Sequence, residues 1–537
     1  MVGANILSVL CGLWYLSGVC DKNPDPGRTS RDPVVQDDPS FELLFKTNRQ
    51  EMLNVPIQFE KPVPKWLRGT LIRNGLGVFE NGDRRFKHSF DAFGKLSSFR
   101  MTGSKKGFFS TRLLRSQFFN DSMKTHTIAP YLMLETVEPP FNQLEKFQAL
   151  LRGIDNMNVN VYSFQHKDKN EYVVLSDFWK IYEIHPRNLS IGEPVSVPPT
   201  GGVFSSRYLL NFLNLMSTAH PLPYPGTDWH LTFLSSVSLL PWARSAMNLI
   251  KIKSAQDREI IARWEVDRVP YMHSFSVTEH YAVLFAFPFY VNVVKMALKA
   301  EPFRCLDWYP DQPTTVYVVN LKTGHVQTLT TGNVFIMHHV NAYEVSMDHL
   351  VVDVSAYTGP EAMYNFEMDI ILDPVARNKF NPHARVQRYD IYLGDKPQVK
   401  MQTFQGAPGA EYTTFLDLPT INEKYRSKPY CITYGVVLKR DNSSLSDAAL
   451  VKKNFCNHLE DRTWHQPQQF PEEAWFVPDP RGSREDDGLL MMPVLDGNKN
   501  RTYLAIMDAR TLKMVNRAYL PTVIPFSFHG RFFPELT

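Results

Sequence analysis

Four segments of the chain each place a histidine in an apolar or turn-bounded setting that suits a metal ligand. They are STAHPLP (His220), VPYMHSFSV (His273), VFIMHHVNAYE (His338 and His339) and IPFSFHGRFF (His529). Neutral imidazole binds iron, zinc and copper, and a nitrogen set with open coordination positions suits a metal that binds O₂ or polarises a substrate. Intervals of 53, 65 and 191 residues separate the four segments, which is too far for ligands on one helix. A site built from them needs a fold that closes on itself.

The strand pattern is the element that must bring these positions together. From Phe41 onward, short β-branched or aromatic runs alternate with turn residues, as in YVVLSD (172–177), KIYEIHP (180–186) and HLVVDVSAY (349–357). Residues 315–332 read as a hairpin, and residues 489–519 as three consecutive strands. Repeated meanders of this kind indicate the blades of a β-propeller, whose innermost strands all face one axis. No sequence repeat of fixed period accompanies them.

Three apolar stretches interrupt the strand pattern. Residues 207–216, 233–255 and 287–300 carry scattered Lys and Arg and are interpreted as helices or long inserts outside the blades. In the third stretch, basic and apolar residues fall on different faces of a helix. It is either a helix packed on the body or a patch that dips into a membrane.

Composition and missing motifs exclude several classes of protein. The 537 residues carry 58 basic and 55 acidic side chains, and the net charge of +3 gives no reason to expect a nucleic-acid partner. The sequence has no Walker A loop, HExxH, GxSxG or helix-opening GxGxxG, which argues against nucleotide hydrolases, zincins, α/β-hydrolases and dinucleotide enzymes. Five scattered cysteines exclude a thiolate zinc site and a disulfide scaffold, but leave open whether Cys305, Cys431 and Cys456 are bonded.

The N-terminal region indicates entry into the secretory pathway. Residues 1–20 contain an uncharged apolar run and read as a signal peptide, with a signal anchor as the alternative. Residues 21–40 form a polar, proline-rich lead-in, and 41–537 is expected to be a single folded domain. Four sequons fit a secreted or lumenal glycoprotein: Asn120, Asn188, Asn442 and Asn500. A cytosolic or membrane-associated protein is the alternative if the N-terminus is not a signal.

The histidine segments resemble a known family. TAHP, HSF, HHVNAYE and FHGRFF are similar to the iron-ligand segments of the carotenoid cleavage oxygenases. Further segments resemble that family in the same order along nearly the whole body: PKWLRGTLIRNGLG (64–77), HSFDAFGKLSSFRM (88–101), KPYCITYG (428–435), EDDGLL (485–490) and YLAIMDARTL (503–512).

The resemblance implies an all-β fold, a seven-bladed β-propeller with a helical and loop dome over an axial iron site. It implies one Fe(II) per chain, bound by His220, His273, His338 and His529. His339 would then be a structural neighbour, since successive side chains of a strand point to opposite faces.

The family also uses three carboxylates that each accept a hydrogen bond from the outer nitrogen of a ligand histidine. The matching positions are Asp177, Asp417 and Glu473. Glutamate is usual at all three. An aspartate is shorter by one methylene, about 1.3 Å, so the backbone must move inward, a water must bridge, or the ring is held less firmly.

The implied function is that of an Fe(II)-dependent dioxygenase, which uses O₂ to cleave a double bond of a carotenoid or apocarotenoid into carbonyl products. Its partner would be a lipophilic polyene, delivered by a membrane or lipid carrier near residues 233–255 and 287–300. Two alternatives remain: a retinoid ester isomerohydrolase on the same iron site, and a secreted carotenoid-binding propeller with weakened catalysis.

Overall fold

The computed structural model describes residues 39–166, 169–197, 199–200, 214–237, 244–379, 383–409, 411–438 and 447–537. Antiparallel β-structure dominates these residues, which confirms the prediction of a mostly β fold with few helices. The predicted signal peptide and most of the predicted lead-in lie outside the described residues.

The strands of the first half of the chain are β1 (Met52–Gln58), β2 (Arg68–Val78), β3 (Glu80–Asn81), β4 (Arg84–Phe86), β5 (Phe93–Thr102), β6 (Lys106–Leu113), β7 (Val137–Glu138), β8 (Asn160–His166), β9 (Lys169–Leu175), β10 (Ile181–His185), β11 (Ser190–Val195), β12 (Asn214–Met216), β13 (Leu222–Pro223), β14 (His230–Ser236), β15 (Ser245–Ile252), β16 (Arg258–Val266), β17 (Ser276–Val277) and β18 (Tyr281–Ala286).

The strands of the second half are β19 (Phe289–Val291), β20 (Leu306–Trp308), β21 (Thr314–Asn320), β22 (Val326–Thr331), β23 (Phe335–Ser346), β24 (His349–Tyr357), β25 (Arg385–Tyr392), β26 (Gln398–Thr403), β27 (Asp417–Thr420), β28 (Ile432–Val437), β29 (Ala449–Asn454), β30 (Arg462–Trp464), β31 (Gln469–Pro471), β32 (Trp475–Pro478), β33 (Gly488–Asp496), β34 (Arg501–Asp508), β35 (Met514–Tyr519) and β36 (Ser527–Phe533).

Within the described residues, seven sheets have four or five strands each. Their strand orders are β1-β6-β5-β2-β36, β11-β10-β9-β8, β12-β14-β15-β16 with β13 on β14, β17-β18-β21-β22, β23-β24-β25-β26, β27-β28-β29-β30, and β31-β33-β34-β35 with β32 on β33. Six sheets use strands that are close together in the chain. In the first sheet, however, β36 pairs with β2, so the two ends of the body meet in one sheet.

The helices are short and lie between strands. They are α1 (Gln117–Thr125), α2 (Gln143–Arg152), α3 (Val293–Lys299), α4 (Glu361–Tyr364), α5 (Met368–Ile371) and α6 (Pro374–Asn378). Helix α2 begins at a capping box in which the Asn142 side chain and Glu145 satisfy each other's backbone amides, and it ends at Gly153. None of the helices described is long and apolar enough to cross a membrane.

Several strand predictions are confirmed. HLVVDVSAY is β24, the hairpin at 315–332 is β21 with β22, and residues 489–519 contain β33, β34 and β35. Of the stretch 233–255, residues 238–243 lie outside the described part of the chain; for the rest, the prediction of helices or inserts is wrong, because these residues belong largely to β14 and β15. Both strands are buried on both faces, so their apolar runs lack the alternation that usually reveals a strand.

The other two interrupting stretches have different outcomes. Residues 207–213 lie outside the described part of the chain, and 214–216 form the strand β12. The stretch 287–300 contains the expected helix, α3, preceded by strand β19.

Candidate metal centre and active site

The four predicted ligand histidines lie in, or next to, strands of four different sheets. His220 lies in the loop between β12 and β13, and His273 lies just before β17. His338 is part of β23, and His529 is part of β36 opposite Asn74 of β2. Each histidine lies in an edge strand of its sheet or in a loop next to one. The site is therefore assembled where edge strands of four sheets meet.

The structure brings these four histidines together. Successive Nε2 atoms are 3.0 Å apart between His220 and His273, 3.2 Å between His273 and His338, and 3.3 Å between His338 and His529. One nitrogen from each ring lies within 4.8 Å of the others. Residues more than three hundred positions apart in the chain therefore form one compact nitrogen cluster.

A carboxylate lies behind three of the four rings. The Nδ1–carboxylate distances are 2.6 Å for His273–Asp177, 2.6 Å for His338–Asp417 and 2.7 Å for His529–Glu473. All three carboxylates predicted from the sequence lie at these positions. The hydrogen bonds are direct, so no bridging water is needed for either of the two aspartates.

Burial and neighbouring charges shift the pKa values of the clustered rings in different directions. Burial, reinforced by the neighbouring rings, lowers the pKa of His220 well below its ordinary value. Burial also lowers the pKa of His529 to about 4, although Glu473 opposes the change. For His338, burial lowers the pKa, but the Asp417 carboxylate outweighs it and the pKa is raised.

The hydrogen bonds also fix where the ring protons are. An Nδ1 that donates to a carboxylate leaves Nε2 unprotonated in a neutral ring, so the lone pairs of His273, His338 and His529 point at one another. Acceptors within 3.3 Å of each other repel unless a cation lies between them. The donor set therefore fits a borderline divalent ion that prefers imidazole, such as Fe(II).

Three further residues hold the carboxylates and were not predicted from the sequence. The Tyr271 hydroxyl donates to Asp177 over 3.1 Å, and the Tyr357 hydroxyl donates to Asp417 over 2.5 Å. Arg73, which is fully buried, donates to Glu473 over 2.5 Å. Tyr271 precedes His273 by two residues, but nothing in the sequence marks Tyr357 or Arg73 as part of the site.

His339 lies outside the nitrogen cluster, as expected for a strand neighbour of His338. Its Nδ1 is 2.7 Å from the Ser276 hydroxyl, and its ring packs against Phe285. Burial lowers the pKa of His339 to about 3, so this ring is neutral. Its role in the structure is packing and hydrogen bonding within the sheets.

An apolar cavity of about 130 Å³ reaches the cluster from one side. His273, His338 and His529 line it, and Phe90, Phe366 and Phe528 are among the aromatic residues of its wall. Residues of α4 and residues just after α2 contribute to the same wall. Its apolar lining suits part of an apolar ligand with few polar groups.

A second, polar cavity of about 80 Å³ reaches the cluster from another side. Its lining includes His220, His338 and His529 together with Tyr162, Glu423, Arg426 and Arg531. The histidine cluster is therefore the boundary between an apolar space and a polar one.

One disulfide joins Cys431 to Cys456, while Cys305 is buried and unbonded. Three predicted glycosylation sites, Asn120, Asn188 and Asn500, are exposed. Asn442 lies outside the described residues, and glycosylation stays a prediction.

Comparison with known proteins places this geometry in a family. The family model for retinal pigment epithelial membrane protein matches residues 45–534. A rice (Oryza sativa subsp. japonica) protein named carotenoid cleavage dioxygenase 8 homolog A, chloroplastic, is 25% identical over 500 residues, covering 90% of this chain and 86% of its own length. The chicken (Gallus gallus) beta,beta-carotene 15,15'-dioxygenase is 26% identical over 540 residues, covering 92% and 98%.

Solved structures agree on the fold. The cobalt-substituted apocarotenoid oxygenase of Synechocystis has a TM-score of 0.77 at 21% identity, covering 93% of this chain and 99% of its own. The fold is thus that of the apocarotenoid oxygenases. The chain belongs to the retinal pigment epithelial membrane protein family, and the predicted class, that of the carotenoid oxygenase enzymes, is confirmed with it.

Proposed function

We propose that the chain is an Fe(II)-dependent dioxygenase that cleaves a double bond of a carotenoid or apocarotenoid to give aldehyde or ketone products. The observation that carries the proposal is that four imidazole nitrogens cluster together and that three of their rings, those of His273, His338 and His529, line an apolar cavity. The names of the rice and chicken relatives support the same reaction class.

The chain's own residues would hold the ion, orient its ligands and bind the substrate. His220, His273, His338 and His529 would bind iron through Nε2. Asp177, Asp417 and Glu473 would fix the tautomer and the orientation of three of these rings. When bound, Fe(II) with open coordination positions supplies the chemistry that joins O₂ to the two carbons of the cleaved bond. Both oxygen atoms of O₂ then appear in the two carbonyl products.

The apolar cavity would bind the polyene because binding removes apolar surface from water. This stabilises the complex by roughly 25 cal/mol for each Å² of apolar surface buried. Its aromatic wall, including Phe90, Phe366 and Phe528, excludes water from the site. Burial in this cavity places one double bond next to the histidine cluster and leaves the rest of the chain along the wall.

The architecture behind this site is proposed to be a seven-bladed β-propeller, with the helical segments as its dome and residues 41–537 as one domain. The polar cavity supports this proposal. Its lining includes residues of β8, β13, β17, β23, β27, β32 and β36, one strand from each of the seven sheets. A ring of seven sheets around one axis accounts for that arrangement.

Metal content tests the proposal first. Purified protein, reconstituted with Fe(II) if needed, is expected to hold one iron per chain, and His338→Ala is expected to lose it. His349→Ala is a matched control, since the His349 ring lies 2.8 Å from Asp390 in another histidine–aspartate pair outside the cluster. If the wild type cannot be loaded with iron, both enzyme functions fail and a carotenoid-binding protein remains.

Product analysis then separates the two reactions. The loaded protein is incubated under ¹⁸O₂ with β-carotene, apocarotenals and retinyl ester, and products are identified by mass spectrometry. Labelled carbonyl products support the dioxygenase. Retinol formed from the ester without label supports the isomerohydrolase instead.

We also propose that helices α2 and α3 contact the lipid phase that delivers the substrate. Both expose apolar side chains: Leu144, Phe147 and Leu151 in α2, and Val294 and Leu298 in α3. Lys146 and Glu301, 3.6 Å apart, connect the two helical segments. Just after α2, Ile154 is part of the apolar cavity wall. The strands within 233–255 are buried and contribute little to such a surface.

Liposome flotation tests the lipid contact. The triple variant Leu144→Ser, Phe147→Ser, Leu151→Ser is expected to bind phosphatidylcholine vesicles less than the wild type does. Leu459→Ser is the control, because Leu459 is equally exposed on another part of the chain, at 68% against 67% for Leu144. Unchanged flotation of the triple variant would contradict this proposal.

Localisation in the secretory pathway is supported by the Cys431–Cys456 disulfide, a bond that persists in oxidising compartments. Expression in animal cells is expected to give a chain that lacks residues 1–20 and carries glycans at exposed sequons. An intact N-terminus and no mass shift on deglycosylation would favour the cytosolic alternative.

A further inference from the structure

The two aspartates behind the ligand histidines reach their rings as closely as the glutamate does. The Nδ1–oxygen distance is 2.6 Å for Asp177 and for Asp417, and 2.7 Å for Glu473. An aspartate side chain is about 1.3 Å shorter, so the backbone must supply the missing length. The backbone must also be held in place, because the aspartate side chain has one rotatable bond fewer than glutamate and can adjust less to the position of the ring.

The backbone around Asp417 shows such a displacement. The pairing of β27 with β28 shifts register between Asp417 and Thr420, and Leu418 has a left-handed φ of +50°. Register shifts of this kind re-aim a side chain, and a left-handed leucine is a costly conformation that its surroundings must enforce. The strand is therefore distorted at the point where the short carboxylate must reach inward.

Asp177 is fixed by contacts on both carboxylate oxygens and on its carbonyl. Its Oδ1 accepts a hydrogen bond from the Ala219 amide over 3.1 Å, and its carbonyl accepts one from the Ser217 amide over 2.8 Å. Ala219 directly precedes His220. Asp177 thus orients His273 directly and constrains the backbone that carries His220.

Each aspartate has one partner that the glutamate lacks, a buried tyrosine hydroxyl. Tyr357 donates to Oδ2 of Asp417, while His338 donates to Oδ1. Tyr271 donates to Oδ2 of Asp177. Glu473 instead uses its second oxygen for the Arg73 guanidinium.

Both tyrosines are buried, with 7% of Tyr357 and 5% of Tyr271 exposed. Both rings also belong to the wall of the apolar cavity. A hydroxyl buried there without its carboxylate partner would be unpaired, so each Asp–Tyr pair is stable only as a unit.

We propose that Tyr357 and Tyr271 are positioning residues for the metal centre, each completing a short carboxylate so that an Asp–Tyr pair orients its histidine as a longer glutamate would. The inference rests on the proposed metal site, and it assigns these residues a role through Asp417 and Asp177, not contact with the ion. At each of these two positions, a short carboxylate therefore requires a tyrosine hydroxyl next to it.

Metal affinity in exchanged pairs tests this matching, with Fe(II) and Co(II) titrated against a chelator. Tyr357→Phe is expected to weaken metal binding by roughly 10- to 100-fold, the usual cost of losing a residue that orients a ligand. Asp417→Glu alone is also expected to weaken it, because the longer side chain crowds the Tyr357 hydroxyl. The double variant Asp417→Glu, Tyr357→Phe is expected to recover most of the affinity, since the longer carboxylate no longer needs the hydroxyl.

Tyr430→Phe is the matched control. The Tyr430 hydroxyl donates to the buried carboxylate of Asp353 over 2.8 Å in another Asp–Tyr pair, and neither residue contacts the histidine cluster. Its loss is expected to lower the urea midpoint of the metal-free protein and leave metal affinity unchanged. Tyr357→Phe is expected to change both.

The outcomes separate this inference from the proposed function. If the wild type binds metal and Tyr357→Phe binds it with the same affinity, the inference is overturned but the proposed metal site still stands. Losses in the two single variants that simply add in the double variant would also overturn it, because matched residues must compensate. A wild type that binds neither metal would overturn both.

Discussion

Replacing Arg73 with methionine removes the only cation that touches the third carboxylate among the described residues. The Arg73 side chain is completely buried and donates to Glu473 Oε2, to the Ser527 side chain and carbonyl over 3.2 Å, and to the Phe528 carbonyl over 3.1 Å. Methionine fills similar volume but donates nothing. Glu473, with a side chain only 9% exposed, would keep its charge without the guanidinium.

The expected cost follows from that burial. Breaking a buried ion pair by removing one partner typically destabilises by about 3–5 kcal/mol, and two carbonyls lose donors as well. Burial raises the pKa of Glu473, but His529 and Arg73 together outweigh it. Without Arg73 the carboxylate holds the His529 ring less firmly, so metal affinity is expected to fall by roughly 10-fold or more.

Two measurements on the same variant test this reasoning, urea unfolding of the metal-free protein and chelator competition for Fe(II). Lys452→Met is the matched control: the Lys452–Asp486 pair is as deeply buried, with side chains 1% and 3% exposed, but it joins β29 to the loop before β33 and includes none of the clustered histidines or their carboxylate partners. It is expected to lose stability, less than Arg73→Met because Arg484 still contacts Asp486, and to lose no metal affinity. An Arg73→Met protein within about 1 kcal/mol of wild-type stability, or with unchanged metal affinity, would refute the argument.

Three further predictions concern the disulfide, a buried histidine and a glycine. Replacing Cys431 and Cys456 by serine opens a loop with a sequence separation of 25, and is expected to cost about 3 kcal/mol in urea unfolding; a wild type whose stability does not respond to reductant would contradict this. Burial lowers the pKa of His88 to about 4. Between pH 6.5 and 4, His88 is therefore protonated in the unfolded state but not in the folded state. Stability is expected to fall by up to about 3 kcal/mol between pH 6.5 and 4, and His88→Leu should show a shallower slope. In Gly435→Ala the new Cβ would lie 2.6 Å from the carbonyl oxygen of Asp417, so both urea stability and iron affinity should decrease, and an unchanged iron affinity would argue against the contact.

The four clustered histidines could be singled out because their segments combine a polar residue of a metal-binding type with an apolar context and a family pattern. His339 shows why context alone is not enough: it has the same neighbours as His338, yet the strand directs it to Ser276. Spacing could not decide which histidines converge, because convergence depends on sheets that close over hundreds of residues.

The residues that support the carboxylates could not be predicted in the same way. Arg73 and Glu473 are 400 positions apart, and Tyr357 meets Asp417 across two sheets. Each looks like an ordinary strand residue in the sequence. The error at residues 233–255 has a similar origin, since a strand buried on both faces has the composition of a buried helix.

The pairing of β36 with β2 has a consequence for inherited or engineered truncations. One seven-residue strand supplies a ligand histidine, the carbonyls that bind Arg73, and the edge that joins the end of the body to its beginning. A premature stop codon anywhere before residue 527 would therefore remove ligand, support and sheet closure at once. Such alleles should behave as complete nulls, even when almost all of the reading frame is retained.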